Sequence, residues 1–418
     1  MNERLLQYIW QFQHYNTQNL STAEEEPLLI LDPGKLNRNQ GPDFLDGKIK
    51  VGQTTWAGHI ELHVKTSHWK QHGHGKDSNY RNIILHVVWE HDADLGLPFP
   101  TLVLQQQVPK LLLSKYAELL SNYQFIPCEQ QLHKITSLTW QAWKERLLVE
   151  RMEQRYEQVL ERLKAGKQHW EQCFWWMLAR NFGLPVNNDA FETVARSIPL
   201  ALLARHSQQV QQVEAVLFGQ SGLLEQKFKD QYPRLLQREY AFLKNKYRLT
   251  APAVSLLFLR MRPSNFPTVR MAQLAMLIHE RKLSFAALKA SGSLAEVKAL
   301  LNVTANDYWH YHYRFGETTA YKEKHLGSDI VDNICINSII PLLFAYGHHH
   351  KEQAYKDKAL QWLTELKPEK NKVTNGFSNL GTSFHSAFDS QSALELKKSY
   401  CDKKNCLDCA VGNKLLKG

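Results

Sequence analysis

The apolar residues of this chain change their spacing once, and that change constrains the fold more than any other feature. In "LLILDP", "DFLDGKIKVG", "TWAGHIELHVK", "NIILHVVWEHD" and "PTLVLQQ" they alternate with polar residues or form short blocks between Gly, Pro, Asn and Asp. Such segments are strands. From about Leu138 the recurrence becomes every third or fourth residue. In "LTWQAWKERLLVERMEQRYEQVLERLKAG" the stripe is Trp143, Leu147, Met152, Tyr156, Val159 and Leu163, and Gly166 supplies a stop.

A helix over residues 3–15 precedes the strands, and a polar crossover with a short helix separates the third strand from the fourth. The sheet is expected to be mostly antiparallel. Helical patterns continue at 170–183, 224–249 and 269–282, while "KPEKNKVTNGFSNLGTS" reads as a loop. The expected class is α+β, with a mixed-sheet α/β domain at residues 1–125. A helical domain follows at 126–300, then a helical C-terminal region with a cysteine-rich tail at 301–418.

A chain of 418 residues with 43% hydrophobic content has enough apolar material for two or three cores. "MNERLLQYIWQFQHYN" is too polar for a secretory signal, and "ICINSIIPLLFAYG" is too short and broken for a membrane span. Six cysteines are too few for a disulfide scaffold, so the expected location is a reducing cytoplasm, with no membrane partner. The net charge of +10 and pI near 9.1 favour nucleic acid as partner. Oligomeric state is not legible.

Asp43 follows Pro42 at the head of the second strand, and Glu61, His63 and Lys65 alternate with Ile60, Leu62 and Val64 on the third. Residues two apart on a strand share a face, so these polar groups form either a solvated surface or a site. The pattern resembles the PD-(D/E)XK nuclease superfamily. That resemblance implies that Asp43 and Glu61 hold Mg²⁺, which activates water against a phosphate. The position of that superfamily's lysine is taken by His63, so either His63 acts as a base or Lys65 supplies the charge. His72, His74 and Asp77 lie in the crossover and His86 on the fourth strand, enough nitrogens for a zinc hydrolase as an alternative. Walker, Gly-x-Gly-x-x-Gly and Gly-x-Ser-x-Gly motifs are missing, which removes kinase, dehydrogenase and serine-hydrolase readings.

Lys244, Lys246 and Arg248, with Arg262 and Arg270 further on, are interleaved with aromatic residues and are the expected phosphate contacts. Cys401-x4-Cys406-x2-Cys409 has the spacing of zinc or iron–sulfur ligation. For the fourth ligand the candidates are His385, Cys335 and the histidines at 348–350. The main rival to the nuclease reading, ahead of the zinc hydrolase, is a non-catalytic nucleic-acid-binding or assembly protein on a degenerate nuclease fold, and His63 in the lysine position favours it.

Together "GPDFLDGKI", "WAGHIELHVKTSHW", "YRNIILHVVWEHD", "LFGQSGLL", "RPSNFPTVR" and "YCDKKNCLDCAVGNKLL" resemble the bacterial family called domain of unknown function 2851. The resemblance implies a cytoplasmic bacterial protein and brings no activity with it.

Overall fold

Alternation of apolar residues between positions 27 and 103 produces the strands it implies. The computed structural model describes residues 1–37, 39–74, 77–121, 123–280 and 283–417. The chain is mixed α+β and divides into two units, residues 1–143 with 396–418, and residues 144–395. The cysteine tail thus belongs to the unit that contains the sheet.

In that first unit, helix α1 (Glu3–Gln11) starts at Asn2, whose side chain accepts from the N–H of Leu5. It stops four residues short of the expected end because Gln13 takes a left-handed conformation, φ 51°. Its buried stripe of Leu5, Leu6, Ile9 and Trp10 packs into one core with Phe44, Ile49, Ile60, Leu62, Leu85 and Val87. Each such side chain contributes roughly 1.5–3 kcal/mol on burial.

Strands β1 (Leu20–Ser21), β2 (Pro27–Asp32), β3 (Lys35–Leu36), β4 (Phe44–Val51), β5 (Thr54–Lys65), β6 (Ile83–Glu90) and β7 (Thr101–Val103) form one mixed sheet. β1, β2, β4 and β5 pair antiparallel in that order, with β3 antiparallel to β4. Helix α2 (His68–Gln71) lies in the crossover, so β6 runs parallel to β5, and β7 parallel to β6. In this sheet, among the described residues, antiparallel pairings outnumber parallel ones four to two. At its entry Gly58 is pressed against β6: a Cβ there would stand 2.5 Å from the carbonyl oxygen of Asn82. Helix α3 (Lys110–Leu119) follows the sheet.

Helix α4 (Ser137–Ala165) fills the predicted span and ends before Gly166. The second unit is helical. Its patterns at 170–183 and 269–282 become Trp170–Phe182 and Pro267–Glu280, Arg281 and Lys282 lying outside the described residues. The pattern at 224–249 is helical only from Gln231 to Tyr247, with Pro233 in the first turn, where a missing N–H costs nothing. The loop read near residue 370 contains a helix, Lys372–Asn379. A reciprocal cap between Asn371 and Thr374 nucleates it despite poor helix formers within.

Ser328–His350 is one continuous helical stretch of 23 residues that includes a π turn at Cys335–Ile339. It is longer than the sequence suggests, because Pro341 falls where the π turn hands over to the following helix. Among the described residues it is the one helix long and apolar enough to cross a bilayer, and most of it is buried inside the unit.

Candidate metal centre on the central strand

The polar face of β5 is not a solvated surface. Glu61 is 5% exposed and His63 1% exposed, and in the parallel register Glu61 lies beside His86, itself fully buried. Both faces of the strand are covered from Ile60 to His63, as a central parallel strand requires. Buried polar groups need partners, and here they find one another.

Asp43 and Glu61 are joined by a hydrogen bond across neighbouring strands. The backbone N–H of Asp43 donates to Oε2 of Glu61 at 3.0 Å. Oδ1 of Asp43 accepts from Gln7 Nε2 at 2.8 Å, and Oδ2 accepts from the N–H of Leu62 at 3.0 Å. Three of the four carboxylate oxygens therefore accept hydrogen bonds from the protein. The fourth, Oε1 of Glu61, stands 3.4 Å from Nε2 of His74 and 3.7 Å from Nε2 of His63.

The same Nε2 of His63 lies 3.2 Å from Nδ1 of His72 and 3.3 Å from Nε2 of His74. His63 reaches back with Nδ1 to Nε2 of His86 at 2.9 Å. His63, His72 and His74 bring their ligand atoms within 4.8 Å of one another, and Glu3, His68 and His72 form an adjoining trio. One ring nitrogen has a single hydrogen or a single lone pair to offer. Nε2 of His63 thus has more neighbours than it can bond.

The charge states follow from burial. Burial lowers His63 to about 2, aided by His86, His74, His72 and His68 around it. Burial likewise lowers His86 to about 3, and lowers His74. These imidazoles are neutral at neutral pH, the state a ligand needs. Burial raises Asp43 and Glu61, and repulsion from Glu3 adds to both.

The remaining sequence candidates fall as follows. Lys65 sits at the strand's partly exposed end and pairs with Glu90 at 3.5 Å. Asp77 caps the turn Ser78–Tyr80 through the N–H of Asn79. Tyr80 stacks on His74, ring centres 4.0 Å apart. Glu3, Gln7 and His68 are not singled out by the sequence, because only the docking of α1 and α2 brings them here. A cleft of about 750 Å³ opens beside His74, with Trp56, Trp69, Tyr80, Arg81 and Phe99 in its wall.

In the second unit Lys244, Lys246, Arg248 and Arg262 are exposed. Arg270 is not a surface cation: it is 4% exposed and donates to Gln273 and Asn265. The aromatic residues interleaved with these cations mostly turn inward. Tyr232 donates to the buried Glu214, Tyr240 accepts from Gln220, and Phe228 packs on Phe315. Phe242 stays exposed, near Lys246.

Searches of curated proteins and of solved structures find no match. The profile of one family, described as a protein of unknown function, DUF2851, matches residues 3–372, the greater part of the chain and all of the metal-centre residues. On that match the chain belongs to the DUF2851 family.

Proposed function

We propose that the sheet unit is a metal-dependent phosphodiesterase acting on nucleic acid, with a divalent transition metal held by Glu61, His63, His72 and His74. The observation that carries this reading is a spacing. The four donor atoms are linked by separations of 3.2, 3.3, 3.4 and 3.7 Å. A tetrahedral ion with metal–nitrogen bonds of about 2 Å holds its ligand atoms about 3.3 Å apart. Three imidazoles and one carboxylate favour zinc, manganese or iron over Mg²⁺, which prefers oxygen.

The order of elements supports a PD-(D/E)XK-type arrangement: α1, the antiparallel β2, β4 and β5, a crossover, then parallel β6. Asp43 heads β4 and Glu61-x-His63 lies on β5, the places where that superfamily keeps its acids and lysine. With a histidine in place of the lysine, the donor set shifts from oxygen toward nitrogen.

When bound, the metal supplies a Lewis acid for a phosphoryl oxygen and lowers the pKa of water. The chain's own groups prepare the site. Asp43 holds Glu61 through its N–H and is itself held by Gln7 and Leu62. His86 engages Nδ1 of His63, which turns its Nε2 toward His72 and His74. Aromatic rings in the adjoining cleft offer stacking faces for bases, and Arg81 a cation for phosphate.

The test is cleavage of single- and double-stranded DNA and RNA with Mn²⁺, Zn²⁺, Co²⁺ or Mg²⁺ in turn, with binding followed in parallel. Abolished cleavage in Glu61→Gln and His74→Ala while binding persists supports the hydrolase. Binding without cleavage at any metal supports the non-catalytic binder instead, and cleavage retained in both variants removes the site from the mechanism.

A further inference from the structure

We infer that Cys128, Cys401, Cys406 and Cys409 form one four-thiolate metal site, for zinc or an iron–sulfur cluster, that fastens the C-terminal tail within the sheet unit. The three tail cysteines have ligand spacing in sequence, and the structure supplies a fourth from far earlier in the chain. All four are buried and free. They line one small cavity, whose other walls include Pro127, Leu132, Trp140, Leu396 and Tyr400. None of the fourth-ligand candidates from the sequence lines it, and Cys335 lies in the core of the other unit.

Each cysteine is positioned by specific local structure. Glu129 accepts from the N–H groups of Gln124, Phe125 and Ile126, which locks the loop delivering Cys128. Cys401 closes a π-helical turn, Leu396–Cys401, a geometry concentrated at functional sites. The tail then wraps tightly, the N–H of Cys409 bonding to the carbonyl of Cys406. Gly412 permits this, since a Cβ there would collide with that same carbonyl oxygen.

A set of four thiolates suits zinc or an iron–sulfur cluster, and the metal content tells the two apart.

The experiment is iron, acid-labile sulfide and zinc analysis of the full-length chain purified without oxygen, with its visible spectrum. The expected result is stoichiometric metal, either about one zinc or iron with matching acid-labile sulfide and a visible spectrum, and loss of most of it in Cys128→Ser and in Cys406→Ser alike. Cys173→Ala, a buried cysteine of the other unit, keeps it. Absence of both metals overturns the site, and metal retained in Cys128→Ser overturns the fourth ligand. If the serine variants do not fold, alkylation mapping of the wild-type chain decides. Cys128 and the three tail cysteines must become reactive together when the metal is stripped, and Cys128 reacting beforehand refutes its ligation.

Discussion

Oxygen Oε1 of Glu61 and nitrogen Nε2 of His74 stand 3.4 Å apart, one on a buried strand and the other on the crossover that follows it. The pair joins the buried centre of the sheet to the segment facing the cleft. In the proposed function, carboxylate and histidine ligation, alternatives on the sequence alone, share this contact.

Apparent metal affinity should rise with pH. In the free site burial and the nearby Asp43 raise Glu61 to about 9, so it holds a proton at neutral pH that the metal must expel. Below that pKa the ligated form has fewer protons than the free form, and affinity climbs by up to about tenfold per pH unit. Calorimetry in buffers of different ionisation enthalpy should find about one proton released per metal at pH 7. Affinity flat from pH 6 to 8 contradicts this.

His86 reaches the centre through a ring contact with His63. His86→Leu should leave the sheet folded while weakening metal affinity roughly 10–100-fold, the usual cost of losing an outer-shell partner. Competitive chelator titration measures it, and unchanged affinity would show that the contact is packing alone.

Binding of nucleic acid by the second unit should depend on its exposed cations and not on Arg270. Replacing Lys244, Lys246 and Arg248 by alanine should flatten the log–log salt dependence by roughly 0.9 for each phosphate no longer neutralised. Arg270→Met should leave the slope unchanged, since the guanidinium is buried with Gln273 and Asn265. Equal slopes for the triple variant and the wild type would exclude these residues from the interface.

Gly412→Ala should destabilise the tail by about 1–3 kcal/mol, because the new methyl group meets the carbonyl of Cys406. Thermal unfolding should show the first unit melting earlier. A melting curve identical to the wild type would mean that the tail adjusts freely.

The strands are legible in the sequence because alternation is a local property, and each quoted segment forms one. The convergence of Asp43 and Glu61 follows from neighbouring strands. Parallel pairing of β6 and β7 is less visible, since short apolar runs look alike in either direction. Glu3, Gln7 and His68 are hidden because their roles depend on how α1 and α2 dock. Cys128 is hidden for the same reason, having no spacing relation to Cys401. Arg270 misleads because a cation in an apolar helix reads the same whether it faces water or a buried glutamine. The helix at Lys372–Asn379 escapes notice because its Asn and Gly content outweighs, in sequence, a cap visible only as geometry.

Crystals grown with Mn²⁺ and measured at its absorption edge decide whether the histidine cluster holds the metal. One anomalous peak is expected within bonding distance of Oε1 of Glu61 and Nε2 of both His63 and His74, with His72 as the fourth protein ligand. A peak bound by Asp43 and Glu61 without any imidazole, or no peak in this part of the sheet, would contradict the proposed centre.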